Sequence, residues 1–281
     1  MADITAIILT RNEEEYIEDC IKSINGIVKR IIVVDSFSED KTVEKARVMG
    51  AEVHQHEFFN YAKQYMYAVE IAKVKTKWIL RIDADERLTV ESSIELDKLC
   101  NNNIDTDVTG IVLRFYNMFL GKPMMHGGMY PWKKLSVYKT GVGNIEDRHM
   151  DEHIILDYGK TIEAKKDSKH LAFRGLNFLI NKYNWYSTRE AMDYFEQKEI
   201  TDKNASLKTR IKMNVYYKLP IGFRSWAYYI YRYYLRLGFL DGKEGQIFAF
   251  LHAYWYRYLV DAKIYEHEKL GNEFKNTGVL K

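Results

Sequence analysis

Short apolar runs alternate with segments of helical spacing through the first hundred residues of this chain. Residues 6–9, 31–34 and 78–82 are mainly apolar, as expected for strands buried on both faces, and Val53 marks a weaker strand. The segments 17–24, 40–49 and 60–73 have helical character; Asn12, with Glu15 three residues later, is expected to cap the first helix. This alternation predicts an α/β fold with a Rossmann-like, mostly parallel sheet flanked by helices.

The pattern changes after about residue 108. Strands are expected at 111–115 and 135–138, with loops at 126–132 and 141–151. From about residue 174 the chain is mainly helical, with helices predicted at 176–197, 205–218, from about 224 and from about 245. We therefore expect a domain at 1–174, divided into halves 1–108 and 109–174, and a helical, aromatic-rich extension at 175–281.

Composition excludes several classes of protein. The net charge of +3 is too small for a general nucleic-acid binder. Two cysteines, Cys20 and Cys100, stand far apart without a CxxC motif, which argues against a disulfide scaffold or a zinc site. The sequence has neither a signal-peptide pattern nor an apolar run of about 18 residues, so a reducing, cytoplasmic location is expected.

Polar residues follow the predicted strands where each strand ends. These ends read Thr10-Arg11-Asn12, Asp35-Ser36 and Asp83-Ala84-Asp85. Ligands of open parallel sheets bind beyond the carboxyl ends of the strands, so the polar chemistry lies where this topology expects a ligand.

The strongest single signal is the pair Asp83 and Asp85. Two carboxylates at i and i+2 would repel each other without a cation, and oxygen ligands favour Mg²⁺ or Mn²⁺. Such an ion would bridge a diphosphate and stabilise its charge as it leaves. The alternative is a solvated turn, since Asp is common after strands.

Three motifs follow the predicted strands: Thr-Arg-Asn-Glu-Glu from Thr10, Val-Val-Asp-Ser-x-Ser-x-Asp-x-Thr from Val33, and Ile-Asp-Ala-Asp-Glu from Ile82. Together they resemble the family-2 glycosyltransferases, which have a GT-A fold. Further stretches resemble the bacterial branch that builds lipopolysaccharide core and exopolysaccharide; they begin at Gly127, Arg148 and Gly238. The resemblance implies a transferase that uses a nucleotide sugar.

The resemblance also implies roles for individual residues. The donor nucleotide would be contacted by Thr10, Arg11, Asn12, Glu13, Asp35, Lys63, Gln64, Asp83 and Ala84. Asp85 and Asp83, with His153, would bind the metal. For Asn12 the alternative role is a helix cap, for Lys63 a solvated charge, and for Asp35 a residue that forms a turn.

An inverting transfer needs one carboxylate to take the proton of the acceptor hydroxyl. Asp151-Glu152-His153 matches the family's later acidic motif, so Glu152 or Asp151 is the predicted base, with a lean towards Glu152. His126 and Trp132 are candidate contacts of the acceptor, although Trp132 could equally be a core residue. His170 matches a downstream histidine of the branch, with metal binding, phosphate binding and packing all open.

The stretch 223–236 contains seven aromatic residues and three arginines among fourteen residues, and no acid. Tyr, Trp and Arg suit a membrane interface, so docking on the inner face of the cytoplasmic membrane and a lipid-linked acceptor are expected. Helix packing and a homodimer interface are the alternatives.

The resulting hypothesis is an inverting, Mn²⁺- or Mg²⁺-dependent hexosyltransferase. Its donor would be UDP-glucose or UDP-galactose, and its acceptor a saccharide of a surface polysaccharide. A protein acceptor and an inactive scaffold remain alternatives. A dinucleotide oxidoreductase is disfavoured because the first strand–helix junction lacks glycine. A haloacid-type phosphatase would carry its DxD on the first strand, which has no Asp here.

Overall fold

The structure, a computed structural model, describes residues 1–146, 153–200 and 219–271. The chain forms two compact units. Unit 1 contains residues 1–117 and 131–172, and unit 2 contains residues 118–130 and 173–281. The predicted boundary at residue 174 lies next to this division, whereas 118–130, predicted in the first domain, groups with the second unit.

Unit 1 is built on a mixed sheet. Its strands are β1 Ile4–Thr10, β2 Arg30–Asp35, β3 Glu52–Gln55, β4 Trp78–Arg81, β5 Glu86–Arg87, β6 Val108–Phe119, β8 Trp132–Lys139 and β11 Lys160–His170. They lie in the order β3-β2-β1-β4-β8-β6-β11-β5. The first four of the order pair in parallel, β8 is antiparallel to both β4 and β6, β11 is parallel to β6, and β5 is antiparallel to β11. A separate hairpin pairs β9 Gly143–Ile145 with β10 Ile154–Leu156.

Helices cover both faces of this sheet. They are α1 Ile17–Ile24, α2 Thr42–Val48, α3 Tyr61–Ala72 and α4 Val90–Asn102. One apolar cluster joins the β1 side chains Ala6 and Ile8 to α1 and α4, and a second joins Ile7 to α3. Alternate residues of β1 thus enter opposite cores, as a strand buried on both faces requires.

One local expectation was wrong. Helix α1 begins only at Ile17, and Asn12 does not cap it; Asn12 has a left-handed backbone (φ 54°), and its side chain accepts the backbone N–H of Glu39. The helix α4, capped by Thr89, was not predicted, because its apolar periodicity is weak, whereas β11 ends at His170, where the sequence predicts the end of a strand. By contrast, Asn60 caps α3 by accepting the N–H of Lys63 at 2.7 Å.

Unit 2 is mainly helical, and strand β6 runs into it, where β7 Lys122–Met124 pairs with β6. Its helices are α5 Leu176–Ile200, α6 Phe223–Ile230, α7 Gly242–Ala249 and α8 Tyr256–Leu270, with π-helical turns at Tyr231–Leu235 and Phe250–Trp255 and a 3₁₀ turn at Gly238–Asp241. The helix predicted at 205–218 lies outside the described residues. None of the described helices is both long and apolar enough to cross a bilayer.

Candidate functional site

A buried hydrogen bond joins the carboxyl ends of β1 and β2, and Asp35 also accepts a bond from the loop that follows it. The Thr10 hydroxyl donates to Asp35 Oδ1 at 2.9 Å, and the Ser38 backbone N–H donates to Asp35 Oδ2 at 2.8 Å. Asp35 is fully buried. Its carboxylate therefore holds the two strand-end loops together, which accounts for an acidic residue at this position even before any ligand is considered.

The loop after β1 is fastened to the loop after β2 by further bonds. The Asn12 N–H donates to Ser38 Oγ at 2.8 Å, and the Glu13 N–H donates to Thr42 Oγ1 at 2.7 Å. Arg11 stands exposed between these tethered residues. A ligand at this edge would thus meet a loop whose backbone is already ordered.

Gln64 and Lys63 differ in their surroundings although they are adjacent on α3. Gln64 is buried; its amide donates to Ser36 Oγ at 3.0 Å, and its carbonyl oxygen lies 2.7 Å from His56 Nδ1. Lys63 is exposed, with its ammonium group 3.8 Å from the centre of the Phe59 ring. The exposed Lys63 can reach a ligand, whereas Gln64 is hydrogen-bonded to Ser36, the residue that follows β2.

At the end of β4, the ammonium group of Lys134 contacts two carboxylates. Lys134 Nζ lies 2.6 Å from Asp83 Oδ2 and 2.8 Å from Glu86 Oε1, and the Asp83 N–H donates to Glu86 Oε2 at 2.9 Å. The antiparallel register of β4 and β8 pairs Leu80 with Val137 and runs on to bring Lys134 beside Asp83. The first carboxylate of the DxD motif is thus neutralised by the chain itself, which the sequence-based argument for a metal did not anticipate.

The charges in this cluster shift one another's protonation. Burial would raise the pKa of Asp83, but Lys134 and Arg81 outweigh it and the pKa is lowered. Burial raises the pKa of Glu86 to about 7, with Lys134 opposing and Asp83 adding to the rise. Burial would lower the pKa of Lys134, yet the two carboxylates raise it, so its ammonium group stays charged.

The second carboxylate of the motif faces a histidine. His170 Nε2 lies 3.6 Å from Asp85 Oδ2, and both side chains are about one-fifth exposed (20% and 21%). The Asn117 side-chain oxygen lies 2.7 Å from His170 Nδ1, which leaves the Nε2 edge of the ring on the side of Asp85. The backbone supports the pair, because the Leu171 N–H donates to the Asp85 carbonyl oxygen at 2.7 Å. A carboxylate oxygen and an imidazole nitrogen are both groups that can bind a divalent cation.

Trp132, at the start of β8, lies beside this pair. Its ring centroid is 4.8 Å from that of His170 and 5.4 Å from that of Phe115, and the side chain is about one-third exposed (36%). Trp132 is therefore a partly exposed aromatic surface at the site rather than a core residue.

Other predicted residues lie elsewhere or outside the described part. His153 is exposed just before β10, and no group of three or more potential ligand side chains forms among the described residues, so His153 does not join Asp83 and Asp85. The candidate bases Asp151 and Glu152 lie outside the described residues. His126 belongs to unit 2, where it pairs with Asp241. Ala84 is buried between the two aspartates.

Sequence reasoning missed Lys134 and Glu86 and left the role of His170 open. In the sequence, Lys133 and Lys134 are typical of two solvent-exposed lysines. Glu86 is typical of a further solvent-exposed acid after the DxD motif. Only the pairing of β8 with β4, and of β11 with β5 and β6, brings them to the aspartates.

Comparison with known proteins identifies the family. The model of Glycosyl transferase family 2 matches residues 5–161, more than half of the chain. The chain belongs to glycosyltransferase family 2. The matched span includes Asp35, Asp83, Asp85 and Lys134, and the mixed sheet described above is the GT-A fold that the motifs predicted.

Individual relatives agree with this assignment. This glycosyltransferase is 27% identical over 274 residues to a lipopolysaccharide core biosynthesis glycosyltransferase of Rhizobium meliloti, covering 95% of this chain and 93% of the relative. It is 27% identical over 205 residues to an uncharacterized glycosyltransferase of Rickettsia prowazekii, covering 70% of each. Among solved structures, glucosyl-3-phosphoglycerate synthase of Mycobacterium tuberculosis, in complex with Mn²⁺, UDP and glucosyl-3-phosphoglycerate, is 20% identical with a TM-score of 0.33; the match spans 42% of this chain and 44% of that one.

Proposed function

We propose that this glycosyltransferase is an inverting, metal-dependent hexosyltransferase. Its donor is a UDP-linked hexose, glucose or galactose, and its acceptor is a lipid-linked saccharide or a saccharide of lipopolysaccharide or exopolysaccharide. The observation that carries the proposal is that the two aspartates after β4 have different partners. Asp83 is neutralised by Lys134, while Asp85 and His170 face each other as a pair that a cation would complete.

The residues present fit a divalent cation. Asp85 Oδ2 and His170 Nε2 would hold it, and Asp83 would remain with Lys134 to receive a neutral part of the donor, such as a ribose hydroxyl. When bound, the ion offsets the charge of the departing diphosphate. The ordered loops of Thr10 to Glu13 and the exposed Lys63 would contact the nucleotide.

The transfer itself needs a proton acceptor and a positioned sugar. A carboxylate, Glu152 or Asp151, takes the proton of the acceptor hydroxyl as its oxygen bonds to the anomeric carbon. The bond from that carbon to the diphosphate oxygen breaks on the opposite face, and the electron pair leaves with UDP. Trp132 would present its exposed ring to a sugar, consistent with its place beside His170.

Unit 2 supplies the argument for a membrane. Its exposed apolar residues include Phe223, Trp226, Leu235, Leu237, Phe239 and Leu240. Within residues 219–250 the exposed charged residues are Arg236 and Lys243, both basic, and the acid Glu244 is one-third exposed (33%). Apolar side chains interspersed with cations match a bilayer surface with anionic headgroups. We infer that this glycosyltransferase docks peripherally on the inner face of the cytoplasmic membrane, where a lipid-linked acceptor is presented.

The donor is tested by calorimetric titration with UDP, with and without Mn²⁺, beside GDP and NAD. The test compares Asp85→Asn with Asp19→Asn, an equal change at an exposed aspartate on α1. We expect micromolar UDP binding that needs Mn²⁺ and is lost only in Asp85→Asn. Binding of GDP or NAD in place of UDP would overturn the donor assignment. If none of the three nucleotides binds, the result would favour the inactive scaffold.

Membrane docking is tested by sedimentation with phosphatidylglycerol and phosphatidylcholine vesicles. Leu235→Ser and Leu240→Ser should reduce binding to the anionic vesicles. Ile94→Ser, at an exposed apolar position of unit 1, should not. If the protein binds neither kind of vesicle and sediments as a dimer, the surface is a homodimer interface. Transfer to a peptide in place of a glycolipid would establish the protein-acceptor alternative.

A further inference from the structure

Arg87 contacts the turn that carries the DxD motif. Glu86 and Arg87 form the short strand β5, so their side chains point to opposite faces, Glu86 towards Lys134 and Arg87 towards the start of α1. Arg87 Nη1 donates to the Ala84 carbonyl oxygen at 2.5 Å and to the Glu86 carbonyl oxygen at 2.8 Å. One guanidinium group thus holds the backbone on both sides of Asp85.

The same guanidinium group also binds the loop that follows β1. Arg87 Nη2 donates to the Tyr16 carbonyl oxygen, and the group lies 5.9 Å from the centre of the Tyr16 ring. The backbone N–H of Tyr16 in turn donates to the Glu13 carbonyl oxygen at 2.9 Å. Glu13 is the last residue of the segment 10–13, which the proposed function assigns to the nucleotide. Arg87 therefore joins this segment to the turn of the DxD motif.

Other carbonyl groups of the turn are bonded by backbone. The Asp83 carbonyl oxygen accepts the Glu86 N–H at 2.9 Å, and the Asp85 carbonyl oxygen accepts the Leu171 N–H at 2.7 Å. These two bonds do not depend on a side chain, whereas the carbonyl groups on either side of Asp85 are bonded by the Arg87 side chain. Substitution of Arg87 therefore releases the backbone next to Asp85 and leaves the backbone bonds of the turn in place.

The burial and the shape of the side chain explain why an arginine stands here. Arg87 is only 7% exposed, and its bonds to Ala84, Glu86 and Tyr16 all go to backbone carbonyl oxygens. A buried carbonyl group that loses its donor costs free energy. A guanidinium group carries its donors on separate nitrogens in one plane and can bridge two segments, whereas a lysine ammonium group is a single point of contact.

We propose that Arg87 is a positioning residue for the divalent cation. It orients Asp85 towards the ion by holding the backbone on both sides of it, and it fixes this turn relative to the segment 10–13. Replacement of side chains that support metal ligands lowers metal affinity by about tenfold to a hundredfold. The inference rests on the proposed function in assigning the ion to Asp85, while the contacts of Arg87 lie within unit 1.

The test is calorimetric titration of the full chain with UDP at a series of Mn²⁺ concentrations. The series gives the Mn²⁺ concentration at which UDP binding is half-maximal. We expect this concentration to rise about tenfold or more in Arg87→Met. Arg87→Lys, which keeps the charge but not the planar group, should raise it by about threefold or more, and it provides the test if Arg87→Met does not fold.

The matched control is Arg30→Met. Arg30 also donates to a backbone carbonyl oxygen of unit 1, that of Ala72, but it begins β2 at the amino end of the sheet. Its loss should lower the stability of unit 1 and leave the Mn²⁺ requirement unchanged. The electron paramagnetic resonance spectrum of bound Mn²⁺, which reports the arrangement of its ligands, should change in Arg87→Met and stay as in the parent chain in Arg30→Met.

Amide hydrogen exchange tests the contacts of Arg87 without metal or nucleotide. The N–H groups of Glu86 and Leu171, which bond to the turn, should exchange faster in Arg87→Met than in the parent chain or in Arg30→Met.

Three results would overturn this inference: an Mn²⁺ requirement in the Arg87 variants equal to that of the parent chain, an equal rise in Arg30→Met, or unchanged exchange of the Glu86 and Leu171 N–H groups. If the parent chain itself shows no Mn²⁺-dependent UDP binding, the proposed function fails. A parent chain that needs Mn²⁺, together with Arg87 variants that need no more of it, refutes only the role given to Arg87.

Discussion

The ammonium group of Lys134 lies 2.6 Å from Asp83 Oδ2, so the two aspartates of the DxD motif have different partners. Asp83 has a cation from a neighbouring antiparallel strand, whereas Asp85 faces the imidazole of His170. Glu86, fully buried, shares the same ammonium group. The two carboxylates of the motif therefore have different surroundings, an ammonium group for Asp83 and an imidazole for Asp85.

Lys134→Met should destabilise unit 1 by about 3 kcal/mol, because it leaves two carboxylates without their shared cation. The matched control is Lys133→Met. Lys133 is about half exposed and pairs with Glu163 at 2.7 Å, so its loss should cost less than about 1 kcal/mol. Urea unfolding followed by circular dichroism measures both. Adding Glu86→Gln to Lys134→Met should restore part of the stability, and equal effects of the two lysine variants would refute the role given to Lys134.

His170→Ala should weaken Mn²⁺-dependent UDP binding by about tenfold or more, since imidazole is a better ligand for Mn²⁺ than for Mg²⁺. Binding supported by Mg²⁺ should change less. His153→Ala serves as the control, because His153 is exposed and does not join the aspartates among the described residues. A loss confined to His153→Ala would transfer the metal role to that residue.

Glu152→Gln should retain UDP affinity but lose transfer by about a hundredfold or more, as expected when a general base is removed. Asp151→Asn is the paired variant. Single-turnover assays with a labelled UDP-hexose separate chemistry from binding. An active Glu152→Gln together with an inactive Asp151→Asn would make Asp151 the base.

Unit 2 should lose stability in mild acid through His252. Burial, with Arg232 and Arg257 nearby, lowers the pKa of His252 from 6.5 to about 4, and its Nδ1 lies 2.9 Å from the Tyr183 hydroxyl. Because the folded state disfavours protonated His252, the neutral ring contributes up to about 3 kcal/mol to the free energy of unfolding. This contribution is complete above pH 6.5 and is lost as the pH falls towards 4. His252→Gln should flatten this dependence in thermal unfolding measured from pH 7 to pH 4. An unchanged pH profile would refute the assignment.

Much of the donor edge could be predicted from local sequence. Apolar runs located β1, β2 and β4, and in a parallel arrangement their carboxyl ends meet at one edge, which brought Thr10, Asp35 and Asp83 to the same region. The helical structure of unit 2 could also be predicted from the sequence. The cap assigned to Asn12 was wrong because its side chain bonds to the neighbouring loop at Glu39, a contact that spacing along one segment cannot reveal.

The sequence by itself determined the family, the mainly α/β order of the first half and the acidic residues that end its strands, since these depend on periodicity and motif within short windows. Only the tertiary structure decided which charges these residues meet. Lys134 reaches Asp83 through antiparallel pairing, His170 reaches Asp85 through a strand some 85 residues later, and His126 meets Asp241 across 115 residues. The free energy of a buried charge depends on its neighbours in space, and strand register and backbone packing set those neighbours.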